Sequence, residues 1–250
     1  VDQIEDRFGV NQEYAHLLIP AAIIYKQILE MTGAEMLWVP GIRMCDGIAA
    51  DYAEKQKYLK FTHNFDDDIL SASRNMAKRY RCNTSHGQKI ENYALQIFDA
   101  MKKFHGLGTR ERLLLRIASI LHDCGKFISL RDSSACAYNI IMATEIIGLS
   151  HAEREIVAEV VRCNLDAFRY GEGSIRAGKL TAMLRLANAM DRSHHGRLDD
   201  GKLQVKGNKL IISTSYAGNL ALETIAVEDK ADFFEEMFGI RPEIRQKRRV

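Results

Sequence analysis

Apolar residues recur at helical spacing through residues 11–31, closing on Leu18-Ile-Pro-Ala-Ala-Ile-Ile-Tyr-Lys-Gln-Ile-Leu-Glu30, and the pattern stops before Thr32-Gly33. That spacing predicts one helix. The run Glu35-Met-Leu-Trp-Val-Pro-Gly-Ile42 then reads as one buried strand entering a turn at Pro40-Gly41. From Asp66 to about His195 the period is almost continuously helical, with loops expected only near Gly106-Leu-Gly108 and Tyr170-Gly-Glu-Gly173. Within it, Leu113 to Leu121 and Leu180 to Met190 are apolar on most faces, which predicts central helices of a bundle. Beyond Gly196 the apolar positions alternate around Gly207-Asn208, a hairpin signal. A short amphipathic helix over Glu228 to Phe238 and an extended piece from Ile240 complete the chain. The expected class is mainly α: a helical domain over 61–197, preceded by a helix-strand piece over 1–60 and followed by a small α+β appendage over 198–250.

Composition narrows the function classes. Apolar content of 46% and charged content of 27% are those of an ordinary globular chain. A formal charge of +2 argues against a dedicated nucleic-acid binder, and the basic end Arg245-Gln-Lys-Arg-Arg249 reads as a solvated terminus. Five widely spaced cysteines without a CxxC pair suggest neither a disulfide framework nor a zinc cluster, so a reducing, cytoplasmic location is expected. No apolar run reaches the roughly 18–20 residues of a membrane span, and no signal pattern opens the chain. An opening on Val1, directly into a periodic segment, is what a piece of a longer polypeptide would show.

Chemistry concentrates where apolar helices stop. His122-Asp123 ends one central helix and is followed by Cys124-Gly125-Lys126, so the backbone can turn while both side chains aim at one point. His86 opens the helix that follows it, and Asp191 closes the helix from Leu180. A single His or Asp at a helix end is commonly a cap or a satisfied polar residue. Four such residues at the ends of three helices instead predict one shared divalent ion. Imidazole nitrogen with carboxylate oxygen suits Mn, Fe, Ni or Zn, and Mg less well.

Ser85-His86, Leu121-His-Asp-Cys-Gly-Lys126 and Leu186-Ala-Asn-Ala-Met-Asp191 resemble the three motifs of the HD phosphohydrolase superfamily. The resemblance implies an HD-type helical bundle in which His86, His122, Asp123 and Asp191 bind a metal that activates water against a phosphate ester. Asp123 and Lys126 would carry the catalysis, with Lys126, Arg131 and Arg192 contacting phosphate. A wider resemblance covers nearly the whole chain, to the C-terminal half of the exopolyphosphatase and guanosine pentaphosphate phosphatase family. Gly33-Ala-Glu-Met-Leu-Trp-Val-Pro-Gly-Ile-Arg-Met-Cys-Asp-Gly-Ile48 resembles the end of that family's actin-like catalytic lobe, and Lys230-Ala-Asp-Phe-Phe-Glu-Glu-Met-Phe-Gly-Ile-Arg-Pro242 its C-terminal helix and strand. Polyphosphate or nucleotide phosphates are the implied partners.

The chain departs from that pattern at Ser133, Cys136 and Asn164, where many relatives carry further histidines, so at most one metal is expected. The glycine-rich phosphate loops and catalytic carboxylate of the actin-like lobes have no place in residues 1–65. The rival reading is a non-catalytic regulatory module that binds polyphosphate and forms a homodimer. His194-His195 read as exposed loop residues beside a helix end, Asp66-Asp-Asp68 as a favourable acidic helix start, and Cys124 as a packing residue.

Overall fold

The computed structural model describes residues 2–168 and 174–246. The chain divides into two compact units, Val1–Thr62 and His63–Val250. The loop expected at Tyr170-Gly-Glu-Gly173 and the basic residues Lys247 to Arg249 lie outside the described residues.

The first unit consists of α1 (Asp2–Phe8), α2 (Gln12–Thr32) and α3 (Met44–Lys55). Helix α2 starts where Asn11 Oδ1 accepts the N–H of Tyr14 at 3.1 Å, and it stops at Gly33, whose φ of 66° suits a left-handed cap. The strand expected over Glu35 to Ile42 is not formed; these residues are irregular, with Trp38 83% and Val39 74% exposed. A strand exists only where a neighbour takes its N–H and C=O groups, and the described residues of this unit contain no other strand.

The second unit is a helical bundle carrying a small sheet. Its helices are α4 (Phe65–Arg79), α5 (Thr84–Ala100), α6 (Lys102–His105), α7 (Thr109–Leu121), α8 (Ser133–Ala143), α9 (His151–Cys163), α10 (Ile175–Met190) and α11 (Ala221–Phe238), with a 3-10 turn at Cys124–Phe127. The helical stretch is thus interrupted more often than the periodicity predicts. Polar caps make the additional breaks: Asn83 Oδ1 accepts from the N–H of His86 to start α5, and Ser150 exchanges hydrogen bonds with Glu153 to start α9. Such starts need no Gly or Pro, the punctuation that the sequence makes visible.

Helix α10 is buried along most of its length, from Ala177 through Leu180, Leu184 and Ala187 to Met190, and it packs on α5, α7, α9 and α11. Helix α7 buries Leu113 to Leu115 and Ile117 to Leu121. The two apolar helices of the sequence are therefore the middle of the core, and their ends are fixed relative to one another by that packing.

The hairpin forms as β1 (Lys202–Lys206) against β2 (Lys209–Thr214), antiparallel, turning at Gly207-Asn208. Strand β3 (Arg241–Gln246) then lies parallel to β2, with Ile212 opposite Ile244. Helix α11, two turns longer at its start than predicted, is the crossover that a parallel pair requires. It also packs along α10.

His105, fully buried at the end of α6, is a structural histidine. Its Nε2–H donates to the Phe98 carbonyl at 3.1 Å and its Nδ1 accepts from the Leu107 N–H at 2.8 Å. The bond from Leu107 requires the neutral ring, and burial depresses its pKa below the usual 6.5. A histidine depressed in the folded state leaves the unfolded chain binding the extra proton, so this contribution is present above about pH 6.5 and is lost as pH falls below it. Urea midpoints measured between pH 7.5 and pH 5 should therefore drop, and a His105→Gln variant should show a shallower dependence. An unchanged slope would remove His105 from the account.

Candidate metal centre

Three helix ends meet at one place. His86 lies in the first turn of α5, His122 follows the last residue of α7, and Asp191 follows the last residue of α10. The Nδ1–H of His86 donates to Asp191 Oδ2 at 2.7 Å, joining residues 105 apart in sequence, and the N–H of Gly196 donates to Asp191 Oδ1 at 2.8 Å. An ionised carboxylate only accepts, so His86 carries a proton on Nδ1, and Nε2 is the nitrogen left to face an ion. His122 repeats the arrangement: its Nδ1–H donates to the Ser119 carbonyl at 2.8 Å. Its Nε2 is buried without a hydrogen-bond partner and lies 3.4 Å from Asp123 Oδ1. The two rings are 5.2 Å apart, edge to face.

Two potential ligand groups result, with donor atoms within 4.8 Å of one another: His86, His122 and Asp123, and His86, Asp191 and His194. His86 belongs to both. The four residues expected as one closed quartet are thus brought to one end of the bundle but divided into two overlapping triads. Asp191, with its two oxygens accepting from His86 and Gly196, also orients the imidazole, an outer role that metal-bound histidines characteristically require.

The electrostatics suit a cation. Burial pushes the Asp123 pKa up, but His122, the Lys126 ammonium and His86 together hold it below the usual carboxylate range. Burial depresses the His122 pKa below the usual imidazole value, and Lys126 places Nζ 2.6 Å from Asp123 Oδ1. Asp191 is likewise held low: the His86 hydrogen bond and the Gly196 N–H outweigh its burial. Imidazole nitrogens beside carboxylates are the donor set of a borderline divalent ion, and the unpartnered buried Nε2 of His122 fits one.

The remaining expected residues divide. Lys126 pairs with Asp123, whereas Arg131 and Arg192 are exposed and make no ion pair among the described residues. Cys124 is fully buried and its thiol is pushed up to about 12 by burial, which excludes a ready thiolate. Neither ligand group includes Cys136, and Asn164 is buried with Oδ1 unpartnered. Asp66, Asp67 and Asp68 form the acidic first turn of α4 and belong to neither group.

His194 is the residue that the sequence reading undervalued. It is exposed, as expected, yet its ring lies 3.8 Å from that of His86, and its backbone adopts a left-handed φ of 59°, uncommon for a side-chain-bearing residue. Its place three residues beyond Asp191 was the available signal. Gly125 also has a different purpose from the turn expected of it. A Cβ there would collide with the Ser133 carbonyl oxygen and lie 2.6 Å from Ala137 N, so glycine permits α8 to approach the turn after His122-Asp123.

The family model described as Ppx/GppA phosphatase, domain III, matches residues 70–225, more than half of the chain. The chain belongs to the Ppx/GppA phosphatase family. The matched region contains every residue of both ligand groups. A guanosine-5'-triphosphate,3'-diphosphate pyrophosphatase of Photobacterium profundum is 22% identical over 220 residues, which cover 85% of this chain and 43% of that protein. The chain therefore spans less than half the length of that relative. No described helix is long and apolar enough to cross a membrane.

Gly125→Ala should cost about 2 kcal/mol through overpacking against α8, lowering Tm by roughly 4–8 °C in thermal denaturation. An unchanged Tm would mean that α8 yields freely and that the close approach is not a constraint.

Proposed function

We propose that residues 61–197 form the HD-type metal-binding module of a phosphatase acting on polyphosphate or nucleotide phosphates, with residues 1–60 the remnant of an actin-like lobe and 198–250 a small α+β subdomain. The observation that carries the metal reading is the His122 Nε2 lone pair: buried, unpartnered, its tautomer fixed by the Ser119 carbonyl, and within reach of Asp123 and His86. His86, His122 and Asp123 would hold the ion, with Asp191 orienting His86 and able to serve as a further ligand. A divalent ion bound there supplies a Lewis acid for a phosphoryl oxygen and lowers the pKa of a coordinated water. Lys126, half-exposed beside Asp123, stands where a phosphate oxygen would be met, and Arg131 and Arg192 offer further positive charge at the surface. The family match and the pyrophosphatase relative support the substrate class.

A second reading has its own support. The Lys126 ammonium already neutralises Asp123 at 2.6 Å, an arrangement that stabilises the carboxylate without any ion. On that reading the module binds polyphosphate and positions it without reacting.

The two separate experimentally. Titrating the chelator-stripped chain with Mn2+ or Zn2+ in a calorimeter should show binding that His122→Ala abolishes and that Asp191→Asn weakens by about 10–100-fold, the range typical when the partner orienting a ligand is lost. Absence of binding to the wild-type chain would overturn the metal centre. Metal-independent binding of inorganic polyphosphate that weakens steeply with salt, without phosphate release, would establish the second reading instead.

A further inference from the structure

A cavity of about 500 Å³ opens between α4 and the start of α5, floored by Ile120 of α7. None of His86, His122, Asp123, Asp191 or His194 lines it, so its wall is distinct from the candidate ligands, although Cys82 in that wall lies near Asp123. Its size falls within the range of small-molecule sites, and three features of its wall define an occupant.

The first is charge. Buried Glu91 accepts from Arg74 at 3.0 and 3.2 Å and from Arg116 at 2.5 Å, so one carboxylate serves two guanidiniums. Lys78, one turn along α4 from Arg74, also lines the cavity and makes no ion pair among the described residues. The wall is therefore net positive. The second is the mixture of neutral groups. Asn75, Asn83 and Gln88 present amides, which both donate and accept, beside the apolar surface of Ala77, Cys82 and Ile120. Burial pushes the Cys82 thiol up to about 11, so it adds no charge.

The third is Gly87. It is the fourth residue of α5, where glycine is a poorer helix former than alanine. Its φ is not left-handed, and a Cβ there would meet nothing within 4 Å. Packing within the chain therefore gives no reason for a glycine, and the space it leaves open belongs to the cavity wall.

We propose that this cavity binds a nucleoside monophosphate, with the base on the floor of Ala77, Cys82 and Ile120, its edge read by the amides of Asn75 and Gln88, and the phosphate on Arg74 and Lys78. Inorganic phosphate alone would leave the apolar floor unfilled, and an uncharged ring would not engage Arg74 and Lys78. A monophosphate ester of a flat, amide-edged ring uses both parts of the wall.

The test is calorimetric titration of the chain with AMP and GMP at low salt, with inorganic phosphate and the free nucleosides as separate arms. At least one nucleotide should bind and outcompete the other probes by tenfold or more. Gly87→Leu, which fills the open space with a good helix former, should weaken binding at least tenfold while Tm is held or raised. Lys78→Met should weaken nucleotide binding but leave nucleoside binding unchanged. Chelator-treated protein and His122→Ala should bind the nucleotide as the wild type does, so failure of the metal reading would not remove this site. No nucleotide binding to the wild-type chain, undiminished binding in Gly87→Leu, or phosphate binding as tight as the nucleotide's would each overturn the proposal.

Discussion

The hydrogen bond between His86 and Asp191 ties the start of α5 to the end of α10 across 105 residues of sequence, with both side chains all but excluded from solvent. The half of the candidate centre built on His86 depends on it. It fixes the His86 tautomer, it keeps a buried carboxylate ionised, and through the second oxygen of Asp191 it draws in Gly196 and the loop carrying His194. A hydrogen bond of this kind contributes only modestly to net stability, because folding exchanges it for bonds to water, but losing the donor leaves a buried carboxylate short of a partner at a cost of about 1–3 kcal/mol. It therefore acts chiefly to specify which ends of the bundle meet.

Helix packing makes that pair possible. Helices α7 and α10 are apolar around most of their surface, so the core holds them at fixed separations and their polar ends emerge at defined points. A ligand at a helix end inherits the rigidity of the helix without placing charge inside the core. The close approach of α8 at Gly125 holds the turn after His122-Asp123 in the same way, by shape rather than by hydrogen bonding. The βαβ unit of β2, α11 and β3 is likewise continuous with the bundle, since α11 lies along α10, the helix that delivers Asp191.

The first unit behaves differently. Ala15 is its one buried apolar residue among those described, while Leu17, Ile23, Trp38 and Val39 face solvent. The apolar pattern there was read correctly as a helix over α2 and incorrectly as a strand over Glu35 to Ile42. Helices satisfy their own backbone from residues four apart, whereas a strand needs a neighbour that lies elsewhere in sequence.

The mainly helical class, the two central helices, the hairpin and the four polar residues at helix ends are all legible in the sequence, because each is written in local periodicity or in adjacent residues. Three-dimensional packing was needed to show that those four residues form two triads sharing His86, that His194 joins one of them, that Asp191 orients a neighbour, and that Lys126 pairs with Asp123 while Arg131 and Arg192 stay at the surface. The parallel strand pair and the cavity beside α5 emerged in the same way. Periodicity reports which face of an element is apolar; it carries no information on the distance between side chains a hundred residues apart. That distance is set by how the helices pack, and at this centre the packing of α5, α7 and α10 sets it.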